Sequence, residues 1–235
     1  MGKKEEKKGK KKEKKEKQPA ASYPHSCTDC GVVNCGKRNS KYPDFCLTAK
    51  LSEEEIAKVV KLYTDEKENR KIAIASAEVE GEFYGKYTRV EEIMAVARRI
   101  GAKKIGIATC AGLIEESRIF ARILKLNGFD VYGAACKVGS VDKVTIGIEE
   151  KYTCRTGPVM CNPILQAKLL NKAKTDFNVV VGLCVGHDSL FYKYSKALCT
   201  TLITKDRVLA HNPAGALYQS RAYYKRLLEK EIWEE

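Results

Sequence analysis

The chain has 235 residues, 10 of them cysteine, and a formal net charge of +13. This length suits one ordinary domain with appendages, and the apolar runs are too short to span a membrane. Because the first residues lack an apolar signal-peptide core, we expect a cytoplasmic protein whose cysteines serve metal binding or redox chemistry rather than disulfides.

Residues 1–22 form a low-complexity leader that carries much of the positive charge. Positions 3–17 hold ten lysines and four glutamates, a net charge of +6. Since such a segment has little apolar surface to bury, we predict a disordered, solubilising leader. A Lys-rich segment can also touch nucleic acid or an acidic membrane surface. No nucleic-acid-binding motif follows in the chain, so we do not expect nucleic acid as a partner.

Residues 23–50 predict a small metal-binding module with four cysteines. These are Cys27, Cys30, Cys35 and Cys46. A C-x2-C pair lets two thiolates hold one metal from a tight turn, and four thiolates complete either a zinc site or an iron–sulfur cluster. A zinc ribbon usually has two such pairs, so the single pair here suits a cluster at least as well. His25 is a spare candidate ligand, ranked below the four cysteines.

Residues 51–235 predict an α/β domain. The capping box Ser52–Glu55 begins a helix that follows the cysteine module. Five strands are predicted, at residues 71–77, 104–109, 130–136, 177–184 and 200–204. Helical patterns separate most of the strands, and crossovers of this length favour parallel pairing. We therefore expect a three-layer domain with a mainly parallel five-stranded sheet, preceded by the four-cysteine module.

The predicted domain also contains helix-capping residues and one long loop. Thr88 begins a second capping box, and Asn162 can cap a helix that has Pro163 in its first turn. Residues 137–160 show no convincing helix, and a loop of that length is usually functional or mobile. A last helix is predicted from Asn212 onward. Its aromatic residues, Tyr218, Tyr223 and Tyr224, could lie in the core or in an interface, and the core is the preferred prediction.

Chemistry is expected beyond the carboxyl ends of the predicted strands, where open parallel sheets bind their ligands. The groups placed there are Glu78, Glu80, Cys110, Cys136, Lys137, Cys184 and His187. Cys110 and Cys184 each lead into a helix, and the positive end of a helix dipole lowers the pKa of a thiol. Three thiols at equivalent positions point to one shared site, although any one of them, like Cys199, could be a core residue.

Two interpretations of the strand-end thiols stay open. In the first, Cys110, Cys136 and Cys184 bind a second metal centre, together with one or both of Cys154 and Cys161 from the long loop. In the second, Cys184 or Cys110 is a nucleophile with His187 as its base, in a thiol-dependent hydrolase or transferase. The glycines around Cys184 match neither nucleotide-binding fingerprint, so neither NAD nor ATP is expected.

Six passages spread over residues 23–225 form a recognisable set. They are Cys27-x2-Cys30-x4-Cys35, Cys110-Ala-Gly-Leu113, Cys136-Lys-Val-Gly139, Cys161-Asn-Pro-x3-Ala167, Gly182-Leu-Cys-Val-Gly-His-Asp-Ser-Leu-Phe191 and Lys205-Asp-Arg-Val-x2-His-Asn-Pro213. These passages resemble the domain of unknown function 1847 family, labelled as metal-binding proteins of anaerobic bacteria and archaea. The resemblance implies a bound metal and an oxygen-poor cytoplasm, and it brings no known reaction with it.

The sequence thus predicts a metal-binding protein with an iron–sulfur cluster, or alternatively zinc, and a redox or electron-transfer role. Its partner would be an electron-transfer protein or a small ligand. The alternative is a thiol-dependent enzyme whose four-cysteine module holds structural zinc. A third hypothesis is a non-catalytic protein that stores or delivers metal. Whether the chain is an enzyme is left open.

Overall fold

The structure, a computed structural model, describes residues 24–38 and 41–229. The predicted leader at residues 1–22 lies outside them. The chain divides into two compact units, residues 1–62 and 63–235. Within the described residues no helix is long and apolar enough to cross a membrane.

The first unit consists of short elements around the four predicted ligands. Single 3₁₀ turns cover Cys27–Asp29 and Asn34–Lys37, and helix α1 covers Leu47–Lys50. Helix α2, Glu53–Asp65, begins at the predicted capping box: the Glu55 carboxylate accepts from the Ser52 backbone N–H at 2.9 Å, and Ser52 Oγ accepts from the Glu55 N–H at 3.2 Å. None of these elements contains a buried residue.

The second unit opens with a helix where the sequence predicted a strand. Helix α3, Lys67–Phe83, includes residues 71–77 and also Glu78 and Glu80, which therefore do not lie at a strand end. The strand prediction was wrong because the apolar run is rich in alanine and flanked by lysine and glutamate, all good helix formers. The buried residues of α3, Ala75 and Val79, are four positions apart, the spacing of one helical face.

The sheet has four strands, not five, and all of its pairs are parallel. The strands are β1 (Lys104–Thr109), β2 (Asp130–Ala135), β3 (Phe177–Val181) and β4 (Leu198–Ile203). Their order across the sheet is β2-β1-β3-β4. The α/β class and the parallel arrangement are confirmed. A helix separates each pair of consecutive strands and returns the chain to the end of the sheet at which the previous strand began.

Helices α4 (Arg89–Arg99), α5 (Ile114–Leu126), α6 (Pro163–Lys172) and α7 (His187–Tyr194) accompany the strands. Alternate strand residues enter two separate apolar clusters. Ile107 and Val179 pack in one cluster with Phe120 of α5, whereas Ala108 and Val180 pack in the other, which also contains residues of α6 and α7. The central strands β1 and β3 are thus buried on both sides, as their nearly continuous apolar runs require, whereas β2 and β4 at the edges of the sheet are more exposed.

The two irregular regions differ in how far they match the predictions. Residues 137–160 contain only the 3₁₀ turns Lys143–Ile146 and Glu150–Tyr152, as a predicted loop should. The last helix, α8, stops at Tyr218 after beginning at Ala214. Tyr218 and Tyr223 are 81% and 86% exposed, so the prediction that they lie in the core was wrong: a helix that ends this early cannot align them on one buried face.

Candidate active site

The register of the sheet places two thiols side by side. Thr109 pairs with Ala135 at the carboxyl ends of β1 and β2, so the residues that follow, Cys110 and Cys136, are neighbours. The backbone N–H of Cys136 donates to Thr109 O at 2.8 Å, and the N–H of Ala111 donates to Cys136 Sγ at 3.3 Å. The two side chains interact, since Cys136 lowers the pKa of Cys110 and Cys110 raises that of Cys136.

The long loop returns a third thiol to the same place. The N–H of Asn162 donates to Cys136 O at 2.7 Å, which holds Cys161 beside Cys136. Asn162 also caps α6 as predicted, because its side-chain oxygen accepts from Leu165 N at 3.0 Å. The side chains of Cys136 and His187 both interact with the Cys161 thiol, and both lower its pKa.

Cys184 reaches the site through a turn that only glycine permits. Gly182, just after β3, has a φ of +69°, and a Cβ built on it would lie 1.8 Å from Leu113 Cδ1. This tight turn buries Leu183 and leaves Cys184 half-buried at the edge of the sheet. Arg207 Nη2 donates to Cys184 Sγ at 3.0 Å. The backbone carbonyl of Cys184 accepts from the N–H of His187, the first residue of α7, at 2.9 Å.

These side chains surround a cavity of about 480 Å³. Its reactive and charged lining consists of Cys110, Cys136, Cys161, Cys184, His187, Lys137, Lys143 and Arg207. Apolar side chains, most of them from the long loop and the start of α6, complete the wall. No aspartate or glutamate of the described residues lines it. The volume lies in the range of small-molecule sites in proteins, about 300–1,000 Å³.

Hydrogen bonding within the cluster separates the pKa values of its members. The pKa of Cys161 is lowered mainly by the hydrogen bond from Cys136 and next by the one from His187. The hydrogen bond from Cys136 is also the main cause that lowers the pKa of Cys110. The pKa of Cys136 is raised, because its interactions with Cys110 and Cys161 favour the protonated thiol. The pKa of His187 is raised mainly by its interaction with Cys161. The arrangement therefore favours a Cys161 thiolate beside a protonated His187.

The two other cysteines of the second unit do not line this cavity. Cys154 is exposed and does not line it, and Cys199 is half-buried, with its thiol donating to Ala197 O at 3.3 Å. All ten cysteines are free. Over residues 24–38 and 41–229, no three His, Cys, Asp or Glu side chains are gathered in a way that could hold a metal ion. A metal site at Cys27, Cys30, Cys35 and Cys46 therefore stays a prediction.

The structure adds two features that sequence reasoning missed. The sequence predicted His187 as a base for Cys184 or Cys110, whereas in the structure the His187 side chain interacts with the Cys161 thiol. It also overlooked Arg207, which follows β4 by four residues. The rule that ligands bind beyond strand ends could have found Arg207, since the last predicted strand ended at residue 204.

Comparison with known proteins places this fold and site in a family. The model of a family described as "Protein of unknown function (DUF1847)" matches residues 46–202. The chain belongs to the DUF1847 family. The matched segment contains all four thiols of the cavity and His187, but of the four predicted ligands in the first unit it contains only Cys46.

A relative of similar length supports the assignment to DUF1847. The uncharacterized protein MJ0455 of Methanocaldococcus jannaschii is 47% identical over 198 residues, which cover 84% of this chain and 99% of that protein. No solved structure matches the chain.

Proposed function

We propose that this DUF1847 protein is a thiol-dependent enzyme, a hydrolase or transferase, in which Cys161 is the nucleophile and His187 its acid–base partner. Cys161 and His187 line the same cavity, and the interaction of their side chains, which lowers the pKa of Cys161 and raises that of His187, carries the proposal. A thiolate paired with an imidazolium is the activated form that nucleophilic cysteine catalysis needs. Ten free thiols also suit a reducing, cytoplasmic compartment.

In the proposed reaction the Cys161 thiolate attacks an electrophilic carbonyl carbon of the substrate. A sulfur–carbon bond forms, the bond to the leaving group breaks, and the leaving group takes the proton of His187. Water, or another acceptor, then attacks the thioester carbon and gives its proton to the neutral imidazole. This second step releases the product and restores the Cys161 thiolate. The Cys136 thiol is a positioning residue, because its hydrogen bond stabilises the negative sulfur.

Limiting alkylation tests the proposal on the intact chain. Iodoacetamide at low concentration, followed by peptide mapping, should label Cys161 about tenfold or more faster than the exposed Cys154 near neutral pH, since the thiolate is the reacting form. His187→Gln should slow the labelling of Cys161 and leave that of Cys154 unchanged. Labelling of Cys161 at the rate of Cys154 would count against the nucleophile, and faster labelling of Cys110 or Cys184 would assign that role elsewhere.

The four thiols that line one cavity favour a second candidate, a cysteine-ligated metal centre. Cys110, Cys136, Cys161 and Cys184 provide the soft donors of a zinc site or an iron–sulfur cluster, so the donor chemistry fits, but among the described residues no three of them are gathered closely enough to hold a metal ion. In this candidate, Cys27, Cys30, Cys35 and Cys46 of the first unit would form another such set. A bound iron–sulfur cluster would supply one-electron chemistry toward a partner protein or small ligand.

Metal and acid-labile sulfide analysis of protein purified without oxygen separates the two candidates. Iron with sulfide that is lost in Cys110→Ser would support a cluster in the cavity. Metal lost only in Cys27→Ser would place it in the first unit and leave the thiol enzyme standing. A metal content unchanged in both variants would argue against either cysteine set as its ligands.

A further inference from the structure

We propose that the thiol cavity accepts a small organic acid, in which an anionic carboxylate or phosphate group is joined to an apolar body that carries, apart from that group, the carbonyl carbon attacked by Cys161. This inference rests on the proposed function, because it names the substrate class of that same site. It is carried by two observations: among the described residues, the cations that line the cavity form no ion pair with a carboxylate, and part of the apolar lining is exposed.

Three cations from separate parts of the chain face the cavity. Lys137 follows β2, Lys143 lies in the long loop, and Arg207 follows β4. Lys205 adds a fourth charge close by, because its Nζ lies 3.5 Å from where a Cβ on Gly112 would be. In the part of the chain that the structure describes, none of these four forms an ion pair with an aspartate or glutamate.

The hydrogen bonds of these cations leave donors to spare. Lys137 Nζ donates to Val159 O at 2.5 Å, Lys143 Nζ donates to Tyr152 O at 3.5 Å and to Thr156 Oγ1, and Arg207 Nη2 donates to Cys184 Sγ at 3.0 Å. An ammonium carries three N–H donors and a guanidinium five. Charged N–H donors without an acceptor, located around one cavity, are the groups that bind the oxygens of a carboxylate or phosphate.

Two carboxylates lie next to lining residues in the sequence, but neither lines the cavity. Both are held by backbone: Asp188 Oδ1 accepts from Ser189 N at 2.8 Å, and Asp206 Oδ1 accepts from Val208 N at 2.9 Å and Leu209 N at 2.8 Å. Formation of the thioester removes the negative charge of Cys161 and the proton of His187 together. The lysine and arginine charges therefore face the bound substrate at every stage of the proposed reaction, and an anionic group on the substrate would compensate them.

The cavity also has an apolar part of its lining. It is formed by Ile146, Ile148, Met160, Ile164 and Leu190. Ile146 is 59% exposed, and burial of a large apolar side chain away from water is favourable. A substrate body of a few carbon atoms would cover these side chains, and its anionic group would reach the cations of the same cavity.

Two alkylating reagents of nearly equal size but different charge test the inference. With iodoacetate and with iodoacetamide alike, the thiolate displaces iodide, a sulfur–carbon bond forms and a carbon–iodine bond breaks. Rates at Cys161 and at the exposed Cys154 of the same chain are measured by peptide mass spectrometry. The ratio of the iodoacetate rate to the iodoacetamide rate should be about tenfold or more higher at Cys161, because a cationic cleft concentrates an anion.

A pair of charge-matched variants isolates the cavity. Lys143→Gln keeps an N–H donor and removes the charge, so the ratio at Cys161 should fall toward the ratio at Cys154. Lys172→Gln removes the same charge from an exposed position at the end of α6 and should leave the ratio unchanged. An equal fall in both variants would overturn the inference, because it would reflect the net charge of the chain and not the site.

Protection experiments test the apolar body. Hexanoate should slow the alkylation of Cys161 by iodoacetamide, whereas acetate and hexanamide at the same concentration should protect less. Fast labelling by iodoacetamide, with the two reagents in the same ratio at Cys161 and Cys154, would overturn the substrate class and leave the nucleophile in place. Slow labelling of Cys161 by both reagents would overturn the proposed function, and this inference with it.

Discussion

The thiol of Cys136 interacts with two neighbouring thiols, those of Cys110 and Cys161, and it affects the pKa of both. Its thiol is buried, and its hydrogen bonds are the leading cause of the lowered pKa of both Cys110 and Cys161. A buried thiol that stays protonated is a neutral donor, so it stabilises an adjacent thiolate without adding a second negative charge. Cys136 is therefore expected to act on Cys161 without reacting itself.

Substitution of Cys136 tests this role. Cys136→Ala removes the donor, so the pKa of Cys161 should rise and the midpoint of its alkylation by iodoacetamide should move to higher pH. Cys136→Ser keeps a hydroxyl donor and should restore much of the shift. If the midpoint in Cys136→Ala equals that of the wild type, Cys136 does not set the pKa of Cys161.

The interaction between Cys161 and His187 also changes the pKa of the histidine. The thiolate raises the pKa of His187 above its usual value of about 6.5, because it favours the charged imidazolium. Cys161→Ala should therefore lower the pH at which the His187 ring resonances titrate in an NMR experiment. Cys199→Ala, at a thiol outside the cavity, is the control and should not change that titration. A His187 titration that is the same in Cys161→Ala would contradict the pairing.

Among the elements, the turn between β3 and α7 is where backbone geometry supports the site most directly. Gly182 and Gly186 both have positive φ, +69° and +83°. They differ in their surroundings: a Cβ on Gly182 would overlap Leu113, whereas a Cβ on Gly186 would meet nothing within 4 Å. The turn is thus packed against the start of α5 at one end and open at the other.

Alanine at each glycine separates backbone strain from steric overlap. Gly186→Ala should cost about 1–2 kcal/mol of unfolding free energy, the usual cost of left-handed backbone in a residue with a Cβ. Gly182→Ala should cost that amount and about 1–3 kcal/mol more, because Leu113 must move. Urea unfolding of both variants measures the difference. Equal losses would show that the packing of Leu113 at this turn is loose.

The elements also show what the sequence could predict. Four of the predicted strands were correct, because each is a short apolar run between turn residues. The position of three thiols at the ends of β1, β2 and β3 could be predicted because parallel connections place the ends of these strands together. Residues 71–77 were misassigned because a short alanine-rich apolar run fits a buried strand as well as a helix. The partner of His187 could not be predicted, since it depends on the path of residues 137–160 and on the Asn162 N–H that holds Cys161 beside Cys136.

At the scale of the whole molecule, the cavity depends on the sheet and not on any single segment. Its residues follow all four strands and one long loop, so only the complete parallel arrangement brings them together. The DUF1847 match covers this arrangement up to residue 202, which excludes Arg207, and it begins after three of the four cysteines of the first unit. The strand-end thiols, rather than the first unit, are therefore the better candidates for a function shared by the family.

This view makes a prediction for the relative from Methanocaldococcus jannaschii. Its 47% identity extends over 99% of its own length, so its cysteines can be placed in this structure by alignment. Limiting alkylation of that protein with iodoacetamide, followed by peptide mapping, should give one cysteine that reacts far faster than the others, at the position of Cys161. If its fastest cysteine aligned instead with residues 23–46, the reactive thiol shared by the two proteins would lie in the first unit. The cavity would then no longer be the common site.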